Sequence, residues 1–169
     1  MMPLTTNTII KEAIEALKAS VELADWCSDT FGKHPSLYNA SDATAPPSNE
    51  NCPFVIFERD AHSGGLDRGY DEHTIMVICG THTDADEQLL IVDDEANTEV
   101  IQEMPGVILN AELVYRTHNA MIDALQAFSS GAEVELEVTY DDSAQMPLHL
   151  GMVMYVIRVR HVLGCTSNK

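Results

Sequence analysis

The sequence predicts an α+β domain: an antiparallel sheet of four strands, or slightly more, with two helices packed on one face. Two observations carry this. Apolar residues recur at three- and four-residue spacing in two stretches, one near the N-terminus and one beyond Asn110. Between and after them lie two pairs of short strand-like runs, Pro53–Phe57 with His73–Cys79 and Glu133–Tyr140 with Met152–Arg160. At 169 residues the chain is long enough for one such domain with its own core. It is read as a single domain over 1–169, with an arm at 33–52 and an acidic insertion at about 84–106.

The first helix is expected from Thr8 to Trp26. Ile10, Ile14, Leu17, Val21 and Ala24 form its apolar stripe, Glu12, Glu15, Lys18 and Glu22 lie off it, and Thr8 or Asn7 is the expected N-cap. Past Gly32 the loop-formers Ser36, Asn39, Ser41, Asp42, Thr44, Pro46, Pro47 and Asn51 predict a long arm. Pro53 opens a strand, as a strand's first position permits. Ala61–Asp71, with Gly64, Gly65 and Gly69, reads as a mobile link to the strand His73–Cys79. In the acidic insertion, Leu89–Val92 and Glu99–Ile101 fit either two minor strands or an ornamented loop. The second helix runs through Val114, Thr117, Met121, Leu125 and Phe128, with Asn110 as N-cap and Gly131 as the C′ residue.

The closing pair is the most regular part of the chain. Glu133, Glu135, Glu137 and Thr139 alternate with Val134, Leu136, Val138 and Tyr140, the period-two pattern of a half-buried strand. Burying Val153, Tyr155, Ile157 and Val159 on the same face predicts that Arg158 and Arg160 lie opposite Glu135 and Glu133. That register leaves Glu137, Asp141 and Asp142 as an uncompensated acidic end.

Composition narrows the function. Nine Lys and Arg against 27 Asp and Glu give a net charge of −18, which repels phosphate backbones and anionic membranes. Aromatics make up 6%, too few for a base-stacking platform. No run of about 18 apolar residues marks a membrane span, and Thr5, Thr6 and Asn7 stand where a signal peptide is apolar. The expectation is a soluble, unexported protein. Cys27, Cys52, Cys79 and Cys165 are scattered without a CxxC pair and are read as buried or idle thiols.

The residues that bear chemistry do not assemble into a motif. His73, His82, Asp84 and Asp86, with His62 nearby, are the densest group, yet they lack HxH, HxxxH or HExxH spacing. Cys79 and His82 are too close in sequence to be built as a thiol–imidazole pair. The acidic groups 84–87, 93–95 and 141–142 lack the pattern of a calcium loop and are read as solvated rims. Gly64-Gly65 has no Lys-Ser or Lys-Thr behind it to complete a phosphate cradle. No metal, cofactor or catalytic residue is expected.

The ordered sum of these features resembles the tail terminator, or tail completion, proteins of long-tailed bacteriophages, including minor tail proteins of that fold. The resemblance rests on the opening helix, the run from Pro46-Pro47 to Cys52-Pro53-Phe-Val-Ile-Phe57, and the glycine-containing link into His73-Thr-Ile-Met-Val-Ile78. The second helix and a final hairpin with Gln145-Met-Pro-Leu148 before a long strand complete it. It covers most of the chain. It implies a structural virion protein, assembled in the host cytoplasm, that forms a ring, commonly hexameric. Such a ring stops tail-tube growth and joins tail to head, contacting tail tube protein and head-completion protein, while DNA passes without specific binding. An acidic channel suits that passage, because lysine or arginine there would hold the phosphates. Glu137, Asp141 and Asp142 are the candidate channel or acidic rim; Pro46, Pro47, Gly64, Gly65, Leu66 and Arg68 are the candidate subunit or partner contacts. Two other classes stay open: a small acidic adaptor or inhibitor of a basic partner, and a metal-assisted hydrolase using the histidines and acidic clusters.

Overall fold

The structure is a computed structural model that describes residues 5–40, 45–65, 69–83, 88–94, 97–103, 105–128, 134–140 and 148–160. The N-terminal helical pattern forms two helices, α1 (Thr6–Ala19) and α2 (Val21–Phe31), where one was expected. Ser20 explains the break. Its hydroxyl accepts from the Leu23 amide and so starts α2, while its own amide donates to the Leu17 carbonyl and closes α1. Val21 is consequently the first residue of α2 and is 70% exposed, no longer part of a stripe. The N-cap of α1 is Thr5, whose hydroxyl accepts from the Thr8 amide at 3.2 Å, and neither Thr8 nor Asn7 fills that position. Gly32 ends α2 in the left-handed conformation that glycine adopts without a Cβ penalty.

The main sheet has five strands: β1 (Ser36–Asn39), β2 (Phe54–Gly65), β3 (Tyr70–His82), β6 (Val134–Tyr140) and β7 (Leu148–Arg160), in the order β1-β2-β3-β7-β6. The fold is therefore α+β, but the sheet is mixed where a purely antiparallel one was expected, because β1 runs parallel to β2. β1 comes from the predicted arm. Only four residues long and set among loop-formers, it is too short for periodicity to reveal. The Ala61–Asp71 link is also largely strand: β2 and β3 stay paired from Ala61↔Thr74 to Gly65↔Tyr70. In the acidic segment, β4 (Gln88–Asp94) and β5 (Asn97–Glu103) form a separate two-stranded antiparallel sheet, which resolves the alternatives in favour of strands.

The closing hairpin keeps its predicted faces but not its register. Val134, Leu136 and Val138 pair with Ile157, Tyr155 and Val153, while Glu135 pairs with Val156 and Glu137 with Met154. Arg158 is thus not opposite Glu135; it pairs with Glu72 of β3 and holds its carboxylate at 2.7 Å. The slip is two residues, so facing is preserved while charge partners change. Glu133 lies outside the described residues.

The last helix, α3 (Pro105–Ala127), begins five residues before the expected cap, with proline at the first position, where its missing N–H costs nothing. Val114, Thr117, Met121 and Leu125 are buried as predicted, and Gly131 lies outside the described residues. Asn110 is a core residue, 2% exposed. Its amide donates to the Cys79 carbonyl and the His149 carbonyl, both at 3.0 Å, and to the Thr81 hydroxyl at 3.3 Å, which ties α3 to both β3 and β7. The main core lies between the helices and one face of the sheet, where Ile9, Ile10, Ala13 and Leu17 of α1 and Leu113, Met121 and Leu125 of α3 meet Val55, Phe57, Ile75, Val77, Val153, Tyr155 and Ile157. Cys52, Phe54 and Ile56 form a second cluster with Tyr38, Ile78 and Leu148. Arg116 joins α2 to α3: it holds Glu112 at 2.7 Å and Glu22 at 2.8 Å, and stands 5.2 Å from the centre of the Trp26 ring.

Candidate functional site

Among the described residues, a polar cleft of about 540 Å³ is lined by Thr5, Thr6, Asn7, Arg59, His62, Asp71 and His73. It forms where the start of α1 meets the distal halves of β2 and β3. A β-bulge at Asp60 builds it. The register runs Arg59↔Ile75 and then Ala61↔Thr74, so the extra residue restarts the alternation and puts His62 opposite His73. Without the bulge, His62 would fall on the opposite face from Arg59. With it, both share the face that α1 covers.

His73 is 1% exposed. Its Nδ1 lies 2.8 Å from the Thr6 hydroxyl, its ring is 4.7 Å from that of His62, and its Nε2 has no hydrogen-bond partner. A buried ring nitrogen without a partner is uncommon and asks for a reason. Above it, the Arg59 guanidinium donates to the Asn7 side-chain oxygen. Burial holds the His73 pKa below its ordinary value, the neighbouring His62 acts in the same direction, and Asp71 opposes them.

A pH dependence follows from that shift. The unfolded chain binds a proton at this histidine near its ordinary pKa of about 6.5, whereas the folded chain resists it, so stability is whole above that pH and is lost below it. The melting temperature of the wild type relative to His73→Gln should fall progressively from pH 7 to pH 5. A difference that stays flat over this range would show that His73 titrates alike in both states.

The residues singled out from sequence are dispersed. His73 and His82 stand near opposite ends of β3 and, nine positions apart, on opposite faces, so the group built on them does not converge; Asp84 and Asp86 lie outside the described residues. Cys79 and His82 likewise point to opposite faces. Cys79 is buried, with its sulfur 3.8 Å from the Thr117 hydroxyl, and burial pushes its thiol up to about 12. Cys27 and Cys52 are also buried, each pushed up to about 11 by the same cause, and Cys165 lies outside the described residues. Among the described residues, no group of three or more His, Cys, Asp and Glu is placed to hold a metal ion. No helix among them is long and apolar enough to cross a membrane.

Of the candidate rim, Glu137 sits in β6, and Asp141 and Asp142 lie outside the described residues. Of the candidate contacts, Pro46 is exposed and Pro47 half-buried; Gly64 and Gly65 end β2, and Leu66 and Arg68 lie outside the described residues. Gly64 has a φ of 150°, and a Cβ there would come 2.6 Å from the Asp71 backbone, so the end of the hairpin requires glycine. The cleft itself was missed from sequence. Its only local signal is the break in alternation at Asp60-Ala61, and nothing in the sequence ties that break to Thr6. No protein-family model matches the chain, and no curated protein matches it.

Proposed function

We propose that the chain is a structural protein of a long-tailed phage, a tail terminator that assembles into a ring, ends the tail tube and joins tail to head. The observation that carries this reading is the pair of strand edges at the two ends of the sheet. β1 covers β2 only over Phe54–Phe57, so among the described residues no strand flanks the outer side of Glu58–Gly65. β6 forms the opposite edge. Two different edges at opposite ends suit a head-to-tail contact, which closes into a ring when the rotation is right. Among the described residues no further strand covers either edge, and an uncovered edge in a monomer invites uncontrolled pairing.

The element order supports the same reading: apart from β1 and the β4–β5 pair, an N-terminal helical segment, a long hairpin, a helix and a closing hairpin come in the order on which the resemblance to tail terminators rests. In this proposal Pro46, Pro47, Gly64, Gly65, Leu66 and Arg68 contact neighbouring subunits, tail tube protein or head-completion protein, and Glu137, Asp141 and Asp142 form an acidic rim. The net charge of −18 favours passage of DNA without adhesion. Light scattering should give a ring, six times the 18.6 kDa chain mass for a hexamer, either alone at high concentration or with tail tube protein. A monomer under both conditions overturns the proposal.

A further inference from the structure

We propose that the cleft at the start of α1 binds a small oxyanion, the phosphate of a monoester or a carboxylate, held by Arg59 and the first amides of α1 against His73. Four independent features of the cleft converge on this ligand. An α-helix leaves its first backbone amides without intrahelical partners; Thr8 is capped by Thr5, and those of Thr6 and Asn7 have no such cap among the described residues. Negative charge is favoured at that end of a helix, yet in a chain with 27 acidic residues the first turn of α1 contains none. The chain places Arg59 there instead.

His73 supplies the third feature. Its Nδ1 is engaged by the Thr6 hydroxyl; when that hydroxyl donates, the imidazole carries its proton on Nε2, the nitrogen without a partner. The ring is among the residues that line the cleft, and its Nε2 is a buried nitrogen without a partner, which a ligand oxygen reaching it would satisfy. The fourth feature is size. About 540 Å³ falls within the usual range for small-molecule sites. Asp71, the one carboxylate among the described lining residues, and the acidity of the whole chain weigh against a polyanion such as nucleic acid. They leave room for one compact oxyanion, whose charge Arg59 meets.

The test uses the full chain, with sodium phosphate and sodium acetate titrated separately at ionic strength held constant with chloride. The imidazole resonances of His62 and His73 and the melting temperature are recorded. Phosphate or acetate should shift both resonances saturably and raise the melting temperature. The tighter of the two identifies the source: phosphate points to a phosphomonoester, acetate to a carboxylate. Arg59→Gln, at an exposed position, should fold normally and weaken binding at least tenfold. Lys11→Gln removes an exposed cation of α1 that is not among the cleft's lining residues and should keep the wild-type binding curve. The proposal is overturned if neither anion gives a saturable shift, if chloride alone reproduces it, or if Arg59→Gln binds like the wild type. A Lys11→Gln loss as large as that of Arg59→Gln also overturns it, because binding would then follow the net charge of the chain and not the cleft. These readings need no oligomer and are independent of ring formation.

Discussion

Replacing Asn110 by alanine should lower the unfolding free energy by roughly 3 kcal/mol, the sum expected when buried acceptors lose their donor and a small cavity opens. The side chain sits between α3 and the sheet, with the Cys79 and His149 carbonyls each 3.0 Å from its nitrogen. Two different strands therefore rely on one amide. Asn110→Asp keeps the shape but turns the donor into an acceptor, or a buried charge, facing two carbonyls. It should cost more than the alanine change even though it is nearly isosteric. The seat is equally constrained from below. A Cβ on Gly151 would lie 2.4 Å from the Asn110 side-chain oxygen and 2.7 Å from Val114 Cγ2, so Gly151→Val should push α3 off the sheet and prevent cooperative folding. Urea denaturation of the three variants checks the ranking. If Asn110→Asp matched the wild type, the assigned direction of these hydrogen bonds would be wrong.

The same residue shows where sequence reading succeeds and where it stops. The stripe of α3 was legible because Val114, Thr117, Met121 and Leu125 repeat at helical spacing, and burial follows the repeat. Asparagine ahead of an apolar stripe is the usual cap signal, so the sequence alone places Asn110 at an N-cap. Its actual partners are 29 to 39 residues away in sequence, and no local pattern encodes them. The strand faces of the closing hairpin were legible for the same reason as the stripe, since a period of two survives a two-residue slip. Its charge pairing was not, because β7 is shared with β3 and Glu72 claims Arg158. Ser20 divided the first helix where apolar spacing ran on unbroken through Val21, since a cap works through a hydroxyl and not through hydrophobicity. The cleft stayed hidden because it depends on a single bulged residue bringing His62 to His73 beneath the start of α1.

Phe54→Ala should cost roughly 3–5 kcal/mol, the range for removing a fully buried aromatic ring. Phe54 is 2% exposed and centres the second cluster, with Cys52, Ile56, Tyr38, Ile78 and Leu148 around it. Its cross-strand partner is Gly80, and a Cβ built there would lie 2.1 Å from the tip of the Phe54 ring. The ring therefore lies over the bare backbone of β3, and that space exists only because residue 80 has no side chain. Gly80→Val alone should then be about as damaging as losing the ring, since the ring must leave its seat and the cluster must reopen. Combined, the two changes exchange volume across the strand pair. The Phe54→Ala/Gly80→Val double variant should be more stable than the sum of the single losses by at least about 1 kcal/mol, the coupling expected of residues in direct contact. A double-mutant cycle by chemical denaturation measures that term directly. Strict additivity would place the Phe54 ring away from Gly80 and remove the reason for a glycine in the middle of β3.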